Sequence, residues 1–136
     1  MIDVTIVTAE KSLYTGRASR VVCPGDMGEL EVLPNHAPLL AKLSSGQLTV
    51  DFGDDQEYFF VKGGIVEVQQ ECVIVLADSG ERAQDLDEAK AMEAQKRAEA
   101  LISSQQSKVN LTEVYKELAD ALQQIKLIQK IRNKRG

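Results

Sequence analysis

The chain contains no tryptophan, a single histidine, two cysteines and three prolines, and aromatic residues make up only 4% of its 136 positions. Each shortage excludes something. One histidine, His36, builds no His-based metal cluster and leaves no second base beside it for acid–base work. Cys23 and Cys72 fit neither a zinc nor a CxxC spacing and are read as two buried thiols in a reducing compartment. No run of 18 apolar residues occurs, so no membrane-spanning helix is expected. The start, Met1-Ile2-Asp3-Val4-Thr5, lacks the basic and apolar regions of a signal peptide. Neither GxxxxGK[ST] nor GxGxxG is found, Ser79-Gly80 lacks the context of a nucleophile elbow, and Asp54-Asp55 reads as a solvated turn. These absences argue against an enzyme and against catalytic or metal-binding residues.

The charge is present but unevenly placed. The net −5 hides a split: residues 1–80 hold 5 basic against 12 acidic side chains, and residues 81–136 hold 11 against 9. The last eleven residues carry Lys126, Lys130, Arg132, Lys134 and Arg135 with no acid. Such a tail suits nucleic acid, lipid or an acidic protein surface, or simply complements a helix macrodipole at its C-terminus. With no aromatics to stack bases, nucleic acid is not the expected partner.

The hydrophobic pattern changes period near residue 80. Before it, Ile2, Val4 and Ile6 alternate with Asp3 and Thr5, and Leu48, Val50 and Phe52 with Thr49 and Asp51. Residues 58–61 and 72–77 are near-continuous apolar runs, as in sheets covered on both faces. Turn signals at Tyr14-Thr15-Gly16, Pro24-Gly25-Asp26, Ser44-Ser45-Gly46, Gly53-Asp54-Asp55 and Gly63-Gly64 divide this half into about ten short strands, a β-sandwich over residues 1–84. From residue 85 the spacing is helical. Asp85 and Glu88 read as a capping box, and Ala91, Ala94, Ala98 and Leu101 form a small-residue seam. After a polar break at 103–108, Asn110 and Glu113 repeat the cap, and Leu111, Val114, Leu118, Ala121, Ile125 and Ile128 make a heptad seam, with Leu122, Leu127 and Ile131 off it. The fold class is therefore β + α, with an antiparallel two-helix hairpin over 85–136 that alanines hold only weakly.

Between Gly28 and Leu40, two of the three prolines and the only histidine share one loop. Pro34 and Pro38 fix their own φ and push their predecessors toward extended geometry, so His36 lies on a rigid turn. That turn reads as a docking element or, more simply, as a locally bonded turn histidine.

Gly28-Glu29-Leu30 followed by Leu33-Pro34-Asn35-His36-Ala37-Pro38-Leu39-Leu40 resembles the G-E-[LM]-x-[IV]-[LY]-P-[GN]-H-A-P-L-L signature of the epsilon subunits of bacterial F-type ATP synthases. Val61-Lys62-Gly63-Gly64-Ile65-Val66-Glu67-Val68 and the stretch Glu81–Ala91 resemble that family's strand pair and its entry into the first helix, and Leu86 to Ser104 is most like proteobacterial members. The resemblance implies a non-catalytic subunit of the central rotor stalk, at the cytoplasmic face of the inner membrane through the complex. It implies that the sandwich meets the gamma subunit and the c-subunit ring, with Glu29, Leu30, His36 and Pro38 on that side. It implies that the hairpin reaches the alpha/beta catalytic head and inhibits ATP hydrolysis, where Lys108, Lys126, Lys130, Arg132, Lys134 and Arg135 would face an acidic segment. Removal of everything after Ser79 is then expected to abolish inhibition and spare rotor binding.

Some members of that family bind ATP through [IL]-D-x-x-R-A. Here the match is Leu86, Asp87, Lys90 and Ala91, with Glu81 and Arg97 at other nucleotide positions. Lys90 lacks the planar guanidinium fork, and Asp120 and Gln124 stand where strong binders carry arginines. ATP binding is expected to be weak, and no cofactor is required. A nucleotide-sensing regulator is the competing reading.

Overall fold

A computed structural model of the chain describes residues 1–104 and 110–135. It forms two compact units, Met1–Arg82 and Ala83–Gly136. The first is a β-sandwich of eight strands: β1 (Ile2–Val7), β2 (Ser12–Ala18), β3 (Arg20–Gly25), β4 (Gly28–Val32), β5 (Leu39–Leu43), β6 (Gly46–Asp51), β7 (Gln56–Val68) and β8 (Cys72–Arg82). The order is β2-β1-β8-β7-β5-β3-β4, and β6 pairs with β3 and β7. All pairs are antiparallel except β1 with β8.

The inward positions follow the period-two pattern. Ile2, Val4 and Ile6 of β1, Val66 and Val68 of β7, and Val73 and Val75 of β8 are buried in one core with Leu48, Val50 and Phe59. β-branched residues suit this pleated, buried surface because their restricted χ1 angles lose little on packing. Tyr14 sets its ring edge-on to Phe59 at 6.0 Å between centroids, and the Arg82 guanidinium lies 5.8 Å from the same ring.

The strand count is eight rather than about ten, and the reason lies at two expected turns. Gly63-Gly64 is a bend inside β7, which pairs with β6 before it and β5 after it while β8 stays alongside throughout. Both glycines have positive φ, at 68° and 124°. A Cβ on Gly64 would stand 2.2 Å from the Leu76 carbonyl oxygen, so only glycine allows β8 so close. The other expected turn, Tyr14-Thr15-Gly16, lies within β2 and pairs in regular register with β1.

The second unit begins with a 3₁₀ turn, Ala83–Asp85, followed by α1 (Glu88–Ser104) and α2 (Leu111–Arg135). The cap of α1 is Asp87, not Asp85: the Asp87 carboxylate accepts the Lys90 N–H at 3.1 Å, and the Asp87 carbonyl accepts the Ala91 N–H at 3.0 Å. Asp85 is taken up by the 3₁₀ turn, which satisfies the Leu86 N–H at the Ala83 carbonyl. For α2, Asn110 Oδ1 accepts the Thr112 and Glu113 N–H groups at 3.1 and 3.4 Å, the expected N-cap.

The helices pack as an antiparallel hairpin, with Arg132 near the end of α2 bonded to Glu88 at the start of α1. Ala91 and Ala98 are buried from α1, and Val114, Ala121 and Leu127 from α2. Leu127 falls outside the heptad seam yet is only 1% exposed, while Leu111, on the seam, is 47% exposed. At about 100° per residue Leu127 lies roughly 140° round the helix from Val114, so α2 buries a second face besides the seam, and the 3₁₀ turn of the same unit also packs on this helix. No helix of the described residues is long and apolar enough to cross a membrane.

Candidate functional site

The loop after β4 is built as its prolines require. Leu33 accepts the His36 N–H at 3.2 Å across Pro34 and Asn35, and Asn35 has φ 66°. Proline first and a left-handed asparagine second is the residue order that a type II turn favours. The Asn35 N–H donates to the Gln70 carbonyl at 3.0 Å, tying the loop to the connection between β7 and β8. His36 Nδ1 lies 2.6 Å from the Ala37 carbonyl, and the ring is half-buried. The local bond accounts for the ring's position, and the turn is rigid as well.

Glu29 stands exposed on β4 opposite Pro24, and Leu30 is partly buried against the core opposite Cys23. At the tip of this hairpin, Met27 is 99% exposed. The Glu29 side chain forms no hydrogen bond or ion pair among the described residues. Pro38 is exposed and lines a shallow groove of about 590 Å³ with Leu39, Leu40, Glu67, Val68 and Gln69.

That groove leads onto a surface absent from the sequence-based candidates. Across the sheet, Leu40 pairs with Glu67 and Glu67 with Ile74, while Lys42 pairs with Ile65 and Ile65 with Leu76. These residues alternate with buried Val66, Val68, Val73 and Val75, so they share the outer face. Leu40 is 67% exposed, and Ile65 and Leu76 are exposed beside half-buried Ile74. The signal was present in the run 72–77, read as a strand covered on both faces; in this unit only its inner face is covered. By contrast, Tyr58 to Val61 are all buried.

The residues aligned with nucleotide contacts are occupied by structural work or divided between the two units. Glu81 ends in β8 and pairs with Lys11 at 2.9 Å. In the second unit, Asp87 caps α1, Arg97 pairs with Glu93 one turn back at 3.2 Å, Ala91 is buried, Leu86 is half-buried and Lys90 is exposed.

On α2, Lys126, Lys130, Arg132 and Lys134 are exposed. Lys108 lies outside the described residues. Three apolar side chains of this helix, Leu111, Tyr115 and Leu122, are also exposed. Of the two cysteines, Cys23 is fully buried, and burial pushes its thiol up to about 12. Cys72 is half-buried rather than buried, because it opens β8 at the sandwich rim. Among the described residues no group of three or more His, Cys, Asp or Glu side chains is placed to hold a metal.

The family model described as ATP synthase, Delta/Epsilon chain, beta-sandwich domain matches residues 1–83. The ATP synthase epsilon chain of Acidithiobacillus ferridurans is 47% identical over 131 residues, covering 96% of this chain and 93% of that one. That of Halorhodospira halophila is 43% identical over 135 residues, covering 98% and 96%. Among solved structures, the mitochondrial ATP synthase of Euglena gracilis (OSCP/F1/c-ring) contains a chain that superposes with a TM-score of 0.73 at 20% identity, covering 96% of this chain and 80% of that one. A chain of the central stalk/c-ring structure from Tetrahymena thermophila gives 0.56 at 16% identity, covering 96% and 95%. A sandwich followed by a helical hairpin, a whole-chain match to proteobacterial relatives and the histidine-loop signature agree: the chain belongs to the family of ATP synthase epsilon chains, a non-catalytic subunit of that complex.

Proposed function

We propose that this chain couples the gamma subunit to the c-subunit ring through its sandwich and restrains ATP hydrolysis by the alpha/beta head through its helices. The observation that carries the first half is the apolar outer face of Leu40, Ile65, Ile74 and Leu76, joined by the groove at Pro38 to the rigid His36 loop. A flat apolar face next to a preorganised loop suits a permanent protein partner, since little ordering entropy remains to be lost on binding. The gamma subunit is assigned to the face, and the ring to the tip formed by Met27, Glu29 and the histidine loop. The complex then holds the chain peripherally at the cytoplasmic side of the bacterial inner membrane.

Co-purification of the full chain with gamma tests this assignment. Leu40→Asp with Ile65→Asp places two charges on the face without touching the core. Gamma retention is expected to fall at least about tenfold, as for loss of a buried contact centre, with an unchanged circular dichroism spectrum. Undiminished retention would remove gamma from this face.

The regulatory half is tested by shortening the chain. A cut after Ser79 falls inside β8 and removes the pairs Phe59–Arg82, Phe60–Glu81 and Val61–Gly80. Ending the chain at residue 84 keeps the strand whole. Reconstituted with the complex, this form is expected to keep gamma binding and to relieve inhibition of hydrolysis. Inhibition equal to that of the full chain would sink the role given to the helices. ATP itself is assigned at most weak binding, because Asp87 and Arg97 already have local partners and Lys90 offers a point charge. Micromolar affinity by calorimetric titration would favour the nucleotide-sensing reading instead.

A further inference from the structure

The hairpin has one end where α1 finishes and α2 begins, and an open end, where α1 starts and α2 finishes. The open end brings opposite charges together. The chain before and into α1 carries Asp85, Asp87 and Glu88, and the last turns of α2 carry Lys126, Lys130, Arg132 and Lys134. Between them, Arg132 Nη2 donates to Glu88 Oε2, an ion pair that joins residues 44 positions apart. The 3₁₀ turn that holds Asp85 packs against α2. Each side also suits its own helix end, acids at an N-terminus and bases at a C-terminus.

The packing between the helices makes this contact count for more than its exposure suggests. Glu88 and Arg132 are 34% and 63% exposed, so the pair by itself is weak and screened by salt. The seam beneath it is equally modest, however, with Ala91, Ala98 and Ala121 among its few buried residues. A small term can then decide how often the helices part.

We infer that Glu88 and Arg132 form an electrostatic clasp at the open end of the hairpin, and that Arg132 leaves Glu88 when α2 turns its basic end to an acidic protein partner. Glu88 stands on α1 and Arg132 on α2, so the pair has to break whenever α2 leaves α1. The clasp therefore sets a threshold for release, and it rests on the reading of the helices as the regulatory part.

A double-mutant cycle on the full chain isolates the pair, because cap and dipole effects of each single change cancel. Amide exchange of α1 and α2 is measured for the parent, Glu88→Gln, Arg132→Gln and the double variant at low salt. Each single change is expected to speed exchange by about two- to fivefold, and the double variant to be no faster than the faster single. Raising salt in the parent should reproduce the effect without any mutation. Additive effects of the two substitutions, or a parent insensitive to salt, overturn the clasp. Glu88→Gln is then assayed for inhibition of hydrolysis in the reconstituted complex. Stronger inhibition supports both the clasp and the regulatory reading. Faster exchange with unchanged inhibition keeps the clasp and discards the regulatory reading.

Discussion

The sandwich and the hairpin bury their apolar surface in different ways. In the sandwich, inward positions hold Ile, Val, Leu and Phe59, most of them without measurable exposure. Each such side chain contributes roughly 1.5–3 kcal/mol on burial. In the hairpin the buried positions are Ala91, Ala98, Ala121, Val114 and Leu127, and an alanine contributes a single methyl of about 0.8 kcal/mol. Backbone bonding differs as well. Strand pairing in the sandwich joins distant parts of the chain, whereas a helix bonds within itself and can persist after leaving its neighbour. The comparison separates a unit held by many large buried side chains from one held by a few small ones.

The sharpest way to break that contrast is in the sandwich core. Phe59→Ala removes the ring that Tyr14 and Arg82 pack on. It is expected to cost about 3–5 kcal/mol, read as a lower urea midpoint of the main transition. A cost under about 1 kcal/mol would deny the sandwich its role as the stable unit.

Gly64→Ala comes next. The added Cβ meets the Leu76 carbonyl and the Ala77 Cα at a backbone φ of 124°. A loss of roughly 2–4 kcal/mol is expected from strain plus steric displacement of β8. The paired substitution Gly53→Ala also sits at positive φ but in open space, so it should cost less. Equal losses at the two sites would show that φ alone, not the close approach of β8, sets the requirement.

Ala98→Leu probes the hairpin. Three further carbons in a seam built for alanine should cost about 1–3 kcal/mol and push α1 from α2. The readout is amide exchange: α1 and α2 should exchange faster while the strand amides of β1, β7 and β8 stay protected. Equal acceleration in the strands would mean that the two units unfold as one.

The smallest effect concerns acid stability of the sandwich. Asp51 accepts the Gly53 N–H at 2.8 Å and the Arg20 guanidinium at 2.8 Å, and these bonds, the Gly53 N–H foremost, hold its carboxyl below the usual range. A depressed carboxyl contributes stability above its unfolded pKa and loses it as pH falls through the lower folded value. Asp51→Asn should therefore lower stability slightly near neutral pH and flatten the acid side of the profile. A parallel downward shift at every pH would assign the loss to packing instead.

Much of this architecture is legible in the residues. The alternation of Ile2, Val4 and Ile6, the Asn110 cap and the alanine seam all state local preferences that the fold obeys. The histidine loop is legible too, because Pro34 and Asn35 restrict the backbone to a turn before any partner is considered. Other positions were ambiguous on physical grounds. Asp85 and Asp87 are equally good caps in isolation, and Asp85 lost the role when the preceding chain closed a 3₁₀ turn. Gly63-Gly64 reads as a chain reversal because glycine pairs favour turns, and no local rule reveals that β8 will stay paired across them. The exposed outer row of Leu40, Ile65 and Leu76 was hidden for a similar reason: an apolar run does not say which of its two faces the strands of its own unit will cover.

By itself, the sequence determined the two periodicities, the turn around His36 and the weak alanine seam, because each depends on bonded geometry or side-chain chemistry over a few neighbouring residues. Only the tertiary structure decided that β8 stays paired with β7 across Gly63-Gly64, that one apolar sheet face is not covered by the sandwich's own strands, and that Arg132 meets Glu88 across the hairpin. Those outcomes rest on contacts between residues far apart in the chain, and local preference carries no information about which distant surface arrives.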